Sequence, residues 1–276
     1  PRGRARHQGA DLRLLRALSR DLSLPAVVAG FVAVLVGFTS SVVIVFQAAA
    51  ALRDGEYGPH YNLALLYAQQ GSFEGAVEHS RKALAAKPDD VNMINNLGWV
   101  YFKQGKADEA QAQFEQAVKL DPGMTLVHSN LAAIYESRGM TEQAVAEWRE
   151  VQRTNSRSVP AAVAIGNHLF GQKRYEEAAS QFRKALAVED QNVHALNGLG
   201  LASEKAGKLD DAIASYTKAI AADPKFAIGY NNMGVAYEKK GNQPKAASCY
   251  RKALMIDPNY QDAKKNLSRL QPSQQK

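Results

Sequence analysis

The sequence predicts an all-α protein: a right-handed superhelical solenoid of six helical hairpins with a C-terminal capping helix, preceded by one transmembrane helix. Three observations support this prediction. An alanine recurs every 34 residues, glycines and prolines recur at fixed distances from it, and a long uncharged apolar segment precedes the repeats. A fixed period of this length indicates a stacked helical array, because each hairpin is too small to bury its own apolar face.

Residues 1–21 form a basic N-terminal segment. Because the cytoplasmic flanks of membrane spans are enriched in Lys and Arg, this segment predicts a cytoplasmic N-terminus. Nucleic-acid binding is not expected, since the segment directly precedes an apolar span and lacks interleaved aromatic residues. Its six arginines are Arg2, Arg4, Arg6, Arg13, Arg16 and Arg20.

Residues 22–52 are predicted to form a transmembrane helix or signal anchor. No charged residue lies between Asp21 and Arg53, and the apolar stretch 26–46 would span roughly 31 Å as a helix, close to the hydrocarbon thickness of a bilayer. The repeats would then lie on the outer face of the membrane, which is the periplasm in a bacterium. A stripe of small residues suits contact with another membrane helix. It comprises Ala29, Ala33, Gly37 and Ser41.

Two alternatives remain open for this segment. A cleaved secretory signal is compatible with the small residues 48–51, but the apolar run is longer than the usual 7 to 15 residues of a signal core, so an uncleaved anchor fits better. A buried core helix is disfavoured, because the first repeat begins only five residues after Leu52.

After a linker at 53–56, six repeats fill residues 57–260. The eighth position of each repeat is always Gly or Ala, and position 24 carries an aromatic ring in five of the six repeats. A small residue facing a ring lets two helices approach closely, so these positions are predicted to form the core. The recurring alanines are Ala76, Ala110, Ala144, Ala178, Ala212 and Ala246. The repeats are 57–90, 91–124, 125–158, 159–192, 193–226 and 227–260.

Glycine and proline mark the ends of the helices. Glycine can adopt the left-handed conformation at a helix C-terminus without strain, and proline suits the link to the next repeat because no helical donor is needed there. The glycines are Gly71, Gly105, Gly139, Gly207 and Gly241, and the prolines are Pro88, Pro122, Pro224 and Pro258. Residues 261–276 are predicted to form the capping helix and a tail.

These positions closely resemble the pattern of the tetratricopeptide repeat family over residues 57–260. The third and fourth repeats depart from it, with Ser156 and Asp190 in place of the linking proline and Leu169 in place of a tyrosine. We therefore expect the weakest stacking or a local change of curvature there. The resemblance implies that the first helices of the repeats line a concave groove that binds a protein or peptide.

The predicted peptide-binding groove combines amides with apolar side chains. A primary amide both donates and accepts hydrogen bonds, so it can pair with any peptide backbone. The amides resemble the asparagine ladder of the O-GlcNAc transferase repeats; the alternative is that each bonds the neighbouring helix. The best candidate for a single anchor is Trp99. The predicted site residues are Asn62, Leu65, Asn96, Trp99, Phe102, Asn130, Asn167, Phe170, Asn197, Leu201, Asn232 and Val235.

Other ligand classes find little support in the sequence. Of the positions of the chaperone-tail clamp known in this family, only Asn96 matches, so recognition of a free carboxylate terminus is disfavoured. The rim has mixed charge, with Lys103, Lys205 and Lys239 near Glu136, Glu204 and Glu238. No catalytic constellation, phosphate-binding loop, metal-ligand spacing or cofactor motif is present, so the chain is predicted not to be an enzyme and to need no cofactor.

The apolar stretch 24–50 resembles the first membrane helix of the benzoate:proton symporter family. No second apolar span follows, so a transport pathway cannot be built from this chain alone. The leading hypothesis is a membrane-anchored scaffold that binds a protein segment in its groove. The alternatives are a subunit or fusion fragment associated with benzoate transport, and a homo-oligomerising structural rod.

Overall fold

A computed structural model of the chain describes residues 57–270, which form thirteen α-helices and, within that range, no strand. The all-helical repeat solenoid predicted from the sequence is therefore confirmed. The helices are α1 (Tyr57–Gln69), α2 (Phe73–Ala86), α3 (Val91–Lys103), α4 (Ala107–Leu120), α5 (Thr125–Ser137), α6 (Thr141–Thr154), α7 (Val159–Gly171), α8 (Tyr175–Leu186), α9 (Val193–Lys205), α10 (Leu209–Ala222), α11 (Ala227–Lys239), α12 (Gln243–Ile256) and α13 (Gln261–Leu270).

The described helices fall into two compact units, one ending at Leu120 and the other beginning at Asp121. In the first unit, hairpins α1/α2 and α3/α4 stack through α2 and α3. In the second, four hairpins from α5/α6 to α11/α12 stack in chain order, and α13 packs on α12. Helices of 12 to 14 residues are marginal alone in water, so this stacking stabilises them.

The first helix of each hairpin ends with one residue in the left-handed conformation. Five of the six are the predicted glycines, with φ between 70° and 78°, as at Gly139 and Gly207. The sixth is Lys173, whose φ is 61°. The turn geometry is therefore the same in every repeat, although one repeat has no glycine at this point.

In four of the six described hairpins, the two helices cross where glycine meets a ring. A Cβ atom added to Gly200 would lie 2.4 Å from the Tyr216 ring, and one added to Gly234 would lie 2.5 Å from the Tyr250 ring. Both tyrosine side chains are fully buried. The small residue is therefore required by close approach of the helices, as the repeat pattern predicts.

The third and fourth repeats share one continuous core. The largest cluster of buried side chains there joins Trp148 and Val151 of α6 to Ile165 and Leu169 of α7 and to Phe182 of α8. Leu169, which replaces the tyrosine of the family pattern, is itself buried in this cluster. Leu169 is therefore part of the core at this seam, and the weaker stacking or local change of curvature expected there stays a prediction.

The predicted basic segment 1–21, membrane helix 22–52, linker 53–56 and the end of the tail lie outside the described residues. Within residues 57–270, no helix combines the length and the apolar character needed to cross a bilayer.

Candidate functional site

In the first unit, the predicted site residues lie on α1 and α3, which contact each other. Trp99 and Phe102 are exposed large apolar side chains, at 36% and 37% of their full area. The Trp99 ring meets Phe73 edge-on at 6.5 Å, and Lys103 Nζ lies 5.3 Å from its centroid. Trp99 is thus held in position while part of its ring stays accessible. The accompanying residues are Asn62, which is exposed, and Leu65 and Asn96, which are half-buried.

In the second unit, asparagines of successive first helices bond to one another. Asn232 Nδ2 donates to Asn197 Oδ1 at 3.0 Å, and Asn231 Nδ2 contacts Asn232 Oδ1 at 3.4 Å. Asn266 Nδ2 of the capping helix then donates to Asn231 Oδ1 at 3.0 Å. The amides of Asn197 and Asn232 therefore link neighbouring helices, as the alternative interpretation proposed. Each keeps further donor or acceptor capacity.

The remaining predicted residues of this unit differ in exposure. Asn167 is exposed, and Phe170 is half-buried against Tyr175 with ring centroids 5.4 Å apart. Because α7 contacts α9 and α9 contacts α11, side chains of these three helices lie side by side. Asn130, Leu201 and Val235 are half-buried.

A carboxylate at position 12 of three repeats accepts a hydrogen bond from the ring at position 24. Trp148 Nε1 donates to Glu136 Oε1 at 2.7 Å, and Tyr250 OH donates to Glu238 Oε2 at 2.8 Å. Tyr216 OH contacts Glu204 Oε2 at 3.3 Å. Burial and the Glu204 charge together raise the Tyr216 pKa far above its usual value. Each carboxylate precedes its ring by twelve residues, a signal that the sequence analysis missed.

Two of these carboxylates also form an ion pair with a basic side chain, one on the first helix of the next repeat and one on the capping helix. Lys239 Nζ lies 2.9 Å from Glu204 Oε1, and Arg269 Nη2 lies 2.8 Å from both oxygens of Glu238. Glu204 is almost completely buried, so its ion pair is shielded from solvent on one side. These charges, which we expected on a mixed rim, are thus paired within the chain.

A cavity of about 450 Å³ lies among α5, α6 and α7. His168 lies in its wall, with Nε2 at 2.9 Å from Gln172 Nε2 and 3.6 Å from Glu142 Oε2. Of the predicted site residues, Asn167 alone lines this cavity. The lining residues are Glu136, Thr141, Glu142, Ala144, Val145, Ala164, Asn167, His168, Gly171 and Gln172.

Metal-ligand groups and the cysteine thiol are two candidates for reactive chemistry among the described residues. Within residues 57–270, no three or more His, Cys, Asp or Glu side chains are grouped so that they could hold a metal ion. Cys249 is buried, and burial raises the pKa of its thiol to about 11. It is therefore protonated at neutral pH.

Sequence profiles of known families match nearly the whole repeat array. Four profiles, each described as a tetratricopeptide repeat, match residues 58–123, 101–162, 163–225 and 227–260. No curated protein sequence matches the chain.

Solved structures share the fold. The chain is similar to YrrB, described as a TPR protein with an unusual peptide-binding site, with 22% identity and a TM-score of 0.62 over 69% of this chain and 98% of that one. It is similar to MamA, with 26% identity and a TM-score of 0.55 over 59% and 95% of the two chains. PilF of Pseudomonas aeruginosa gives 21% identity and a TM-score of 0.51 over 68% and 95%.

The helical hairpins, their glycine turns and the small residues opposite buried rings agree in register, and the profile matches cover the same part of the chain. Through residues 58–260, this chain belongs to the tetratricopeptide repeat family.

Proposed function

We propose that this chain is a membrane-anchored, non-enzymatic scaffold that binds a segment of another protein through the first helices of its repeats. Proteins of the tetratricopeptide repeat fold are protein–protein interaction scaffolds, and YrrB is described as having a peptide-binding site. The observation that carries the proposal for this chain is the exposed aromatic pair Trp99 and Phe102 on α3.

The environment of this pair suits a peptide. Trp99 and Phe102 lie one turn apart on α3, and Asn96 precedes Trp99 by one turn. Asn62 is exposed on α1, which contacts α3. Large aromatic side chains that are held in place by neighbours supply most of the affinity in many interfaces, whereas amides bond the peptide backbone. The edge contact with Phe73 fixes the Trp99 ring before binding, which lowers the entropy lost on association.

Membrane attachment is the second part of the proposal. It is supported by the uncharged apolar segment 22–52 and by the arginines that precede it. A scaffold fixed at a bilayer concentrates its partner there. Binding of the partner segment by the described helices does not require the membrane segment. Binding and membrane attachment are therefore tested separately.

Photo-crosslinking in native membranes identifies the partner. The full chain carries p-benzoylphenylalanine either at Phe102 or at Met255, which is 74% exposed on α12 and lies outside the predicted site. We expect one or a few proteins to crosslink from position 102 and not from position 255. The same set of products from both positions would contradict a site on the first helices.

Affinity for the segment identified in this way tests the role of Trp99. Loss of one well-placed aromatic anchor costs about 2 kcal/mol, so Trp99→Ala is expected to weaken binding about 30-fold. Met255→Ala is the matched control, because it also removes an exposed apolar side chain. Calorimetric titration of the full chain in nanodiscs gives both values. Equal affinities of the two variants, with unchanged circular dichroism, would exclude Trp99 as the anchor.

A further inference from the structure

The carboxylates at position 12 allow the surroundings of the same position to be compared between repeats of the second unit. In three repeats the carboxylate accepts a hydrogen bond from a ring. For Glu136 and Glu204, the residue thirty-five positions later is the last residue of the first helix of the next repeat. For Glu204 that residue is Lys239, whose Nζ forms an ion pair with it at 2.9 Å. For Glu136 that residue is Gly171. Both Glu136 and Gly171 line the cavity of about 450 Å³.

The backbone does not require glycine at position 171. Gly171 is the last residue of α7 and lies outside the left-handed region, which Lys173 occupies in this repeat. A Cβ atom added to Gly171 would meet no heavy atom within 4 Å. A larger side chain is therefore sterically possible at this position. Glycine leaves unoccupied the place that Lys239 fills two repeats later.

The cavity has the charge and shape to hold a basic side chain. Glu136 and Glu142 contribute two exposed carboxylates. His168 Nε2 lies 3.6 Å from Glu142, and no lysine or arginine is among the lining residues. Within residues 57–270, no basic side chain forms an ion pair with Glu136, whose hydrogen bond comes from Trp148. Ala144, Val145 and Ala164 supply an apolar wall, which suits the methylene groups of a long cationic side chain.

We propose that this cavity binds a lysine or arginine side chain of the partner protein. One cation of this chain, Lys239, already occupies the corresponding place next to Glu204. Glu238 also pairs with a cation, Arg269, which comes from the capping helix. The ion-pairing carboxylate, the ring that holds it and the apolar wall are all present without such a cation at Glu136. The proposal rests on the proposed function, because the basic side chain belongs to the bound segment.

The two tryptophans of the chain provide a direct test. Trp148 Nε1 bonds Glu136 at the cavity, whereas Trp99 lies in the other unit. The full chain in nanodiscs is labelled with 5-fluorotryptophan, and the two fluorine signals are assigned with Trp99→Phe. The probe is Nα-acetyl-lysine methylamide, and the uncharged control is Nα-acetyl-norleucine methylamide.

We expect the lysine probe to shift the Trp148 signal saturably in the millimolar range, without moving the Trp99 signal. The norleucine probe should leave both signals in place. Gly171→Lys should abolish the shift, because it supplies the internal cation found in the next pair of repeats. Gly58→Lys is the matched control, since Gly58 is exposed on α1 and has equal open space. Glu136→Gln is a second loss variant that adds no bulk.

Three results would overturn the proposal. The first is an unmoved Trp148 signal, and the second is a shift that persists in both Gly171→Lys and Glu136→Gln. The third is a Trp148 signal that moves when residues 1–21 are deleted, because the arginines of this chain would then be the occupant. Crosslinking from Phe102 separates this test from the proposed function. A partner captured equally by wild type and Gly171→Lys, together with an unmoved Trp148 signal, leaves the scaffold function intact while excluding the cation site.

Discussion

Lys173 takes the left-handed position that glycine occupies in the other five repeats. For a residue with a side chain, this conformation costs roughly 1–2 kcal/mol. Nothing compensates at the level of the turn, because its backbone bonds are the same as elsewhere: Lys173 N donates to Phe170 O, as Gly139 N donates to Glu136 O. The fourth repeat therefore carries a local strain that the others lack.

Lys173→Gly is expected to stabilise the protein by about 1 kcal/mol, because glycine adopts this conformation freely. The reciprocal variant Gly139→Lys places a lysine at the same turn position of the preceding repeat and should destabilise by a similar amount. Urea unfolding of the full chain measures both changes. A shift of the same sign in the two variants would contradict the assignment of strain to this turn.

Side chains at the hairpin crossings were predictable from the sequence, whereas polar pairings between repeats were not. Gly200 and Tyr216 stand at fixed positions of one repeat, so their contact follows from the period. The pairing of Lys239 with Glu204 depends on how one first helix overlies the next. That offset is set by packing and is invisible in the pattern of one repeat. The same applies to Asn197 and Asn232. The sequence did not decide whether their amides bond a peptide ligand or the neighbouring helix.

At the scale of single helices, α1 and α2 are joined by two histidines. His60 Nδ1 and His79 Nδ1 lie 2.8 Å apart, with ring centroids at 5.0 Å, and Tyr67 stacks on the other side of His79 at 5.4 Å. One nitrogen must donate and the other accept, so the bond requires at least one neutral ring. Burial lowers the pKa of His79, and the neighbouring His60 lowers it further, while Glu78 opposes this shift.

This pair predicts a loss of stability in mild acid. A histidine whose pKa is lowered by folding binds protons more readily in the unfolded state, so stability is lost as pH falls below the unfolded value of about 6.5. Hydrogen exchange of α1 and α2 should therefore quicken between pH 7.5 and 5.5, after correction for the intrinsic rate. In His79→Phe, which keeps a ring beside Tyr67, we expect a weaker dependence. Parallel curves for both chains would show that this histidine is not responsible.

The ends of the helices follow closely from sequence signals, but the quality of stacking does not. The left-handed glycines lie where the period places them. We expected weaker stacking at the third and fourth repeats because Leu169 replaces an aromatic residue. Leu169 is buried in the cluster formed by Trp148, Ile165 and Phe182. The substitution therefore keeps an apolar contact in the core, whereas the strength of stacking at this seam stays a prediction.

At the scale of the whole molecule, membrane anchoring remains a prediction from residues 22–52. We expect the full chain to stay in the membrane fraction after washing with alkaline carbonate, because a span of this length is held by its buried apolar surface. A chain lacking residues 22–52 should be released. In spheroplasts of a bacterial host, added protease should degrade the repeats and leave the N-terminal segment protected. Release of the full chain by carbonate would contradict the anchor, and protected repeats would contradict the orientation.

The contrast between Gly171 and Lys239 has a consequence for how such arrays diversify. At the two seams where a repeat carries the carboxylate and the ring, those of Glu136 and Glu204, a single codon at the end of the following first helix decides whether the seam is closed by an internal cation or left open to one from outside. Such a change touches no core position, so it alters recognition with little effect on folding. An array can in this way acquire or lose ligand specificity one seam at a time, while its scaffold is inherited unchanged.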